Sequence, residues 1–170
     1  DLSAVAISEG PGSYTGLRIG VSAAKGICFP LNIPLIALDT MHILARKIEC
    51  SEGYIVPAID ARRDEIYFAM FQSNNCKIPE LKVKTDTMIL SSDSFSNYYE
   101  TSTVNFVGDC NKKIMQYLNH ENIFFSDYIL PSANEMGVLS HSKYVKEQFV
   151  DVAEFQPKYL KDFGGKKINN

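Results

Sequence analysis

No Cys-x-x-Cys pair occurs in this chain; its four cysteines stand far apart, at positions 28, 50, 76 and 110. That spacing excludes a zinc ribbon and a thioredoxin-like redox motif, and free thiols of this kind belong to a reducing cytosol. No apolar run reaches membrane-spanning length, and no basic, then apolar, then small-residue leader opens the sequence. A large excess of positive charge is also missing. The formal net charge of −3 excludes a strongly basic nucleic-acid platform and leaves any attraction for phosphate to a local patch or a partner subunit. What is present is ordinary: 45% apolar and 22% charged residues over 170 positions, enough to bury a core as one domain or two small lobes. The opening DLSAVAIS has no methionine and reads as a strand in mid-fold, so a segment is expected ahead of Asp1.

Residues 4–8 form a short apolar run that ends in SEGPGS, the pattern of a buried strand entering a glycine turn. A helix should follow, capped by Ser13 or Thr15 and ended by Pro30. Residues 34–38 read as a second buried strand, and Thr40 can cap a helix carrying Ile43, Leu44 and Ile48. This alternation is that of an α/β layer. A polar stretch ending at Gly53 marks a lobe boundary, giving 1–52 as one lobe, 53–163 as a second and 164–170 as a mobile tail. Residues 54–60 and 65–71 should fold as a hairpin about Ala61-Arg62-Arg63-Asp64, with 82–90 extending the sheet. VNFVG at 104–108 reads as another strand, followed by a helix through Ile114, Met115 and Leu118. Ser132 and Glu135 form a capping box for a helix to about Gln148.

The glycine-rich GPGSYTGLRIGVSAAKGICF at 10–29 invites a nucleotide-binding reading, which the spacing refuses. A phosphate-cradling Walker loop needs Lys then Ser or Thr after its second glycine, but Lys25 stands between Ala24 and Gly26. The dinucleotide fingerprint fails because position 15 is threonine, and Ser13 lacks the flanking glycines of a nucleophile elbow. Gly10 and Gly12 then serve the turn, with Ser13 and Thr15 at the helix entrance. Along the helix, Gly16, Gly20, Ala23, Ala24 and Ile27 share one face, with Leu17, Val21 and Cys28 beside them. The apolar arc is roughly 220° wide, more than one packing layer requires, so the helix should have two neighbours. The second is either another helix of this chain or a partner.

GPGSYTGLRIGVSAAKG, PLIALDTMHILA at 34–45, AIDARRDEIYFAMF at 58–71, FVGD at 106–109 and PKYL at 157–160 together resemble the TsaB family, once grouped with the glycoproteases. That resemblance implies an actin-like, Hsp70-type (ribonuclease H-like) α/β fold of two lobes, the first incomplete here. It implies a non-catalytic cytoplasmic subunit of tRNA threonylcarbamoyladenosine synthesis. Such a subunit dimerises with its catalytic paralog TsaD, is joined by the ATPase TsaE, pairs with a second copy when alone, and meets tRNA only indirectly. It implies no cofactor and no metal. The partner face would be Gly16, Leu17, Gly20, Val21, Ala24 and Ile27. Asp60 and Arg62 are candidates for the cleft between lobes, against the ordinary reading of a solvated ion-pair turn. The rival class is an enzyme, either a metallo-glycoprotease or an actin-like ATP-binding protein. Where the paralog carries a histidine pair, this chain has His42 with Arg46 four residues on. Asp39 and His42 are a candidate acid–base pair, set against capping and packing roles.

Overall fold

A computed structural model describes residues 1–49, 52–74, 78–128 and 130–160; Cys50, Cys76 and the 164–170 tail lie outside the described residues. The chain divides into two compact units, residues 1–40 with 133–170 and residues 41–132. This differs from the expected boundary at 52. The cause is a return of the chain: α5 (Ala133–Val145) packs on strand β2 (Leu35–Asp39), and Val150 bridges Leu35.

In the first unit, β1 (Val5–Gly10) and β2 pair in parallel, with α1 (Tyr14–Leu31) between them in sequence. Ser13 is the N-cap, its Oγ accepting from the Gly16 N–H at 3.3 Å. The helix passes through Pro30 and stops at Asn32, which adopts the left-handed conformation while Ile33 N–H donates to the Cys28 carbonyl. Val21, Ala24 and Cys28 form its buried stripe, packed with Leu35, Val5, Ile7 and the returning Val150, Val152 and Phe155.

The second unit is a five-stranded mixed sheet in the order β5-β4-β3-β6-β7. Here β3 (Glu52–Asp60), β4 (Glu65–Asn74) and β5 (Glu80–Ile89) form an antiparallel meander, while β6 (Val104–Val107) and β7 (Ile123–Phe125) add in parallel. The period of two sends alternate residues to opposite faces. Val56, Ala58, Phe68, Met70, Val104 and Phe106 meet Phe95, Ile114 and Leu118 on one face. Ile55, Ala69, Phe71 and Val107 meet Met41, Leu44 and Ala45 of α2 (Thr40–Ala45) on the other. Each fully buried large side chain contributes on the order of 1.5–3 kcal/mol. The expected helix after β6 is one turn, α4 (Asn111–Ile114), continued by turns to Leu118, with α3 (Ser96–Tyr99) before β6.

Candidate functional site

The glycine turn between β1 and α1 is occupied by the chain itself. Lys158 N–H donates to the Glu9 carbonyl at 2.7 Å, and the Lys158 ammonium reaches Glu9 Oε1 at 2.5 Å, where Glu9 is buried. Gly10 has φ +113°, and a Cβ there would lie 2.7 Å from the Lys158 carbonyl oxygen, so no side chain fits. Gly12 is different. Its added Cβ would meet only Leu17 at ordinary contact, so the expectation that both glycines are needed holds for Gly10 alone. Tyr159 closes the clasp: its hydroxyl accepts from Arg18 Nε at 3.2 Å, and the Arg18 guanidinium lies 4.1 Å from the Tyr14 ring centroid. Lys25 donates to the Ala153 carbonyl at 2.7 Å. PKYL is therefore the segment that fastens the glycine loop and the start of α1.

The structure splits the residues expected on the outer face of α1. Val21 and Ala24 are 5% and 4% exposed and point inward, and Gly20 is half-buried with its would-be Cβ 3.1 Å from Ile7 Cδ1. Leu17 packs against the glycine turn. Gly16 and Ile27 remain on the outside, Thr15 is exposed at the entrance, and the face continues through Ile19 at 66% exposure, Ala23 and Gly26. At 100° per residue, Gly16, Ile19, Ala23, Gly26 and Ile27 fall in one arc opposite Val21 and Cys28. Both sides of this helix are small or apolar, and Val5 and Ile7 select the side that turns in.

In the second unit, the tip between β3 and β4 is tightly wired. The Asp60 N–H donates to Asp109 Oδ1 at 2.9 Å, and Asp60 Oδ1 accepts from the Arg62 N–H at 2.7 Å and from Lys113 Nζ at 2.5 Å. Lys113 also donates to the Glu65 carbonyl at 3.2 Å, and the Tyr117 hydroxyl donates to Asp64 Oδ1 at 3.0 Å. FVGD and the turn of AIDARRDE are thus parts of one construction. Asp60 organises the turn from within. Arg62 and Arg63 take φ of +72° and +51°, a conformation that Asn-Gly adopts freely and that costs other residues about 1–2 kcal/mol each. The Lys113 hydrogen bond, with the Arg62 N–H, holds the Asp60 carboxyl below its usual range.

A depressed carboxylate adds stability above its unfolded value of about 4, and that stability is lost as pH falls through the lower folded value. Lys113→Met should therefore cost stability at pH 7, and the gap from wild type should narrow below about pH 4. Asp60 is half-exposed, so the pH-dependent part is small. Urea midpoints across pH 3–7 check this, and a gap constant with pH would show that Asp60 gains nothing from Lys113.

The remaining chemical candidates go to packing. His42 stacks on Phe71 with centroids 4.7 Å apart, and the Thr40 hydroxyl shares a 2.6 Å hydrogen bond with Ser8. Burial pushes the Cys110 thiol far up. Phe68 and Phe71 are core residues. A cavity of about 220 Å³ lies among Phe68, Met70, Val83, Met88, Phe95 and Tyr98 and includes none of the predicted site residues. No trio of His, Cys, Asp or Glu among the described residues is arranged to hold a metal ion. No helix among them is long and apolar enough to cross a membrane.

With this geometry in hand, comparison with known proteins decides the family. The sequence profile described as TsaD: tRNA N6-adenosine threonylcarbamoyltransferase matches residues 1–167. The chain belongs to that family. Its curated relatives set it among the TsaB members. The tRNA threonylcarbamoyladenosine biosynthesis protein TsaB of Bacillus subtilis strain 168 is 37% identical over 89 residues, 52% of this chain and 39% of that protein. The Haemophilus influenzae protein of the same name is 27% identical over 176 residues, 95% of this chain and 71% of that protein. YeaZ from Pseudomonas aeruginosa has the same fold, with a TM-score of 0.79 at 23% identity over 94% of this chain and 74% of that one. The TsaB fold is actin-like, and the meander followed by parallel strands in the second unit is its ribonuclease H-like sheet.

Proposed function

We propose that this chain is the non-catalytic partner subunit of a cytoplasmic tRNA-modifying complex. In that reading it dimerises with TsaD, TsaE joins through the pair, and the complex transfers a threonylcarbamoyl group to the adenosine beside the anticodon of tRNAs reading ANN codons. The observation that carries the reading is the outer arc of α1, where Gly16, Ile19, Ala23, Gly26 and Ile27 are small or apolar, exposed or partly so, and continuous. A matching helix can approach such a face closely, because nothing lies within 4 Å of a Cβ added at Gly26. In the absence of TsaD the same face serves a second copy of the chain.

Two features support a subunit rather than an enzyme. The glycine turn between β1 and α1 is held by Lys158 of the chain's own PKYL segment, and its spacing is not that of a phosphate loop, which weakens an ATP-using reading. A metalloprotease reading needs ligands at workable spacing, and His42 is packed on Phe71 with Arg46 four residues on. The test is co-elution of the full-length protein with TsaD from the same cell, followed by assay of tRNA threonylcarbamoylation with and without this subunit. Modification that proceeds equally well without it would end the proposal.

A further inference from the structure

The β3–β4 tip presents an arrangement that the dimerisation reading leaves unused. Arg62 and Arg63 are both exposed and both held at positive φ, where glycine or asparagine would rest without strain. Three carboxylates beside them already have other partners: Asp60 has Lys113, Asp64 has Tyr117, and Asp109 has the Asp60 N–H. Asp60 feels the charge of Arg62, yet among the described residues neither guanidinium has a hydrogen-bond or ion-pair partner. The turn therefore draws its negative charge back and leaves two forked cations in front.

We infer that Arg62 and Arg63 contact the sugar–phosphate backbone of the RNA substrate when this chain is part of the assembled complex. This rests on the proposed function and goes beyond it, since there RNA is reached only through the partner. A guanidinium matches a phosphate with two parallel N–H donors, which a lysine cannot do. An acidic protein surface is the poorer fit. Protein interfaces close around an apolar core, whereas the neighbours of these arginines, Ala61 and Ile66, are buried and the tip itself offers only charged side chains. Contacts to phosphate need no more than that, and they position a duplex or stem without reading its sequence. The net charge of −3 is no obstacle, because the tip acts locally and beside a partner.

The experiment measures binding of an unmodified tRNA transcript to the full-length protein assembled with TsaD, across a range of KCl concentrations, for wild type, R62Q/R63Q and R62N/R63G. The second variant carries the residues that the backbone prefers, so it should melt no lower than wild type while losing both cations. Loss of two phosphate contacts should lower the slope of log affinity against log salt by about 1.4–1.8, or about tenfold in affinity near 0.2 M KCl, for both variants. Unchanged affinity and slope would overturn the inference. So would variants that shed TsaD on size exclusion while the assembled fraction binds RNA normally, since the tip would then be a protein contact. A wild-type chain that never assembles with TsaD would sink the proposed function itself, and this inference with it.

Discussion

Replacing Gly108 by alanine should destabilise the second unit by about 4 kcal/mol or more. Gly108 follows β6 at φ +132°, and an added Cβ would lie 2.0 Å from the Ala58 carbonyl oxygen and 3.0 Å from its carbon. Those atoms belong to β3, which is bonded to β4 on one side and to β6 on the other. Relief by a small local shift is closed off, because Ala58 is fully buried between both neighbours. On the other side of the glycine, its N–H donates to the Tyr128 carbonyl at 3.1 Å, so rotating the peptide away strands that bond as well. Strained backbone and steric overlap together place the cost at about 4 kcal/mol or more, a large part of the 5–15 kcal/mol that holds a typical domain. A control lies in the same chain. Gly26 is inside α1 with open space around it, and Gly26→Ala should raise stability by about 0.5–1 kcal/mol. Urea denaturation followed by circular dichroism compares the two. A Gly108→Ala protein that unfolds within about 1 kcal/mol of wild type would mean that β3 and β6 can part without breaking the sheet.

That prediction depends on contacts far apart in sequence, and the same distinction separates what could be read from the chain alone from what could not. The strands at 54–60 and 65–71 and the Ser13 cap were legible, because apolar alternation and capping chemistry are local. Three-residue β7 carries no periodic signal of its own; it exists because Val104 and Phe106 offer a parallel edge to Ile123 and Phe125. The left-handed pair Arg62-Arg63 was readable as a turn but not as strain, since neither residue type announces positive φ. PKYL could be seen as a motif, while its role as a clasp on Glu9 and Gly10 required the chain to return across about 150 residues, the 149-position separation of Lys158 and Glu9. The orientation of α1 was not legible in its residues. A helix with glycine and alanine on both flanks has a period but no unique inside, and only the position of Ile7 and Leu35 decides it.

Because that orientation is now fixed by packing, Gly20→Leu and Ala23→Leu should fail in opposite ways, although they lie three residues apart on one helix. A Cβ at Gly20 already comes within 3.1 Å of Ile7 Cδ1, and Gly20 is half-buried, so a leucine there presses on the contact between α1 and β1. Forcing extra methylenes into a packed layer costs about 1–3 kcal/mol, and a two-stranded parallel sheet has little reserve against a helix lifted from it. Gly20→Leu should therefore lower the melting temperature of the chain itself, and lose partner affinity only as folded protein is lost. Ala23 is exposed, and its leucine would stand in solvent with no effect on the monomer. Seated between Gly16, Ile19, Gly26 and Ile27, however, it would hold an approaching helix away from the small residues that permit close contact. The same 1–3 kcal/mol would then appear as about tenfold to a hundredfold weaker association with TsaD. Thermal unfolding beside analytical ultracentrifugation of the full-length protein with TsaD separates the two. If Ala23→Leu binds as tightly as wild type, the outer arc of α1 is not the partner face, and if Gly20→Leu melts normally, the helix is not held by the stripe that Ile7 and Val5 cover.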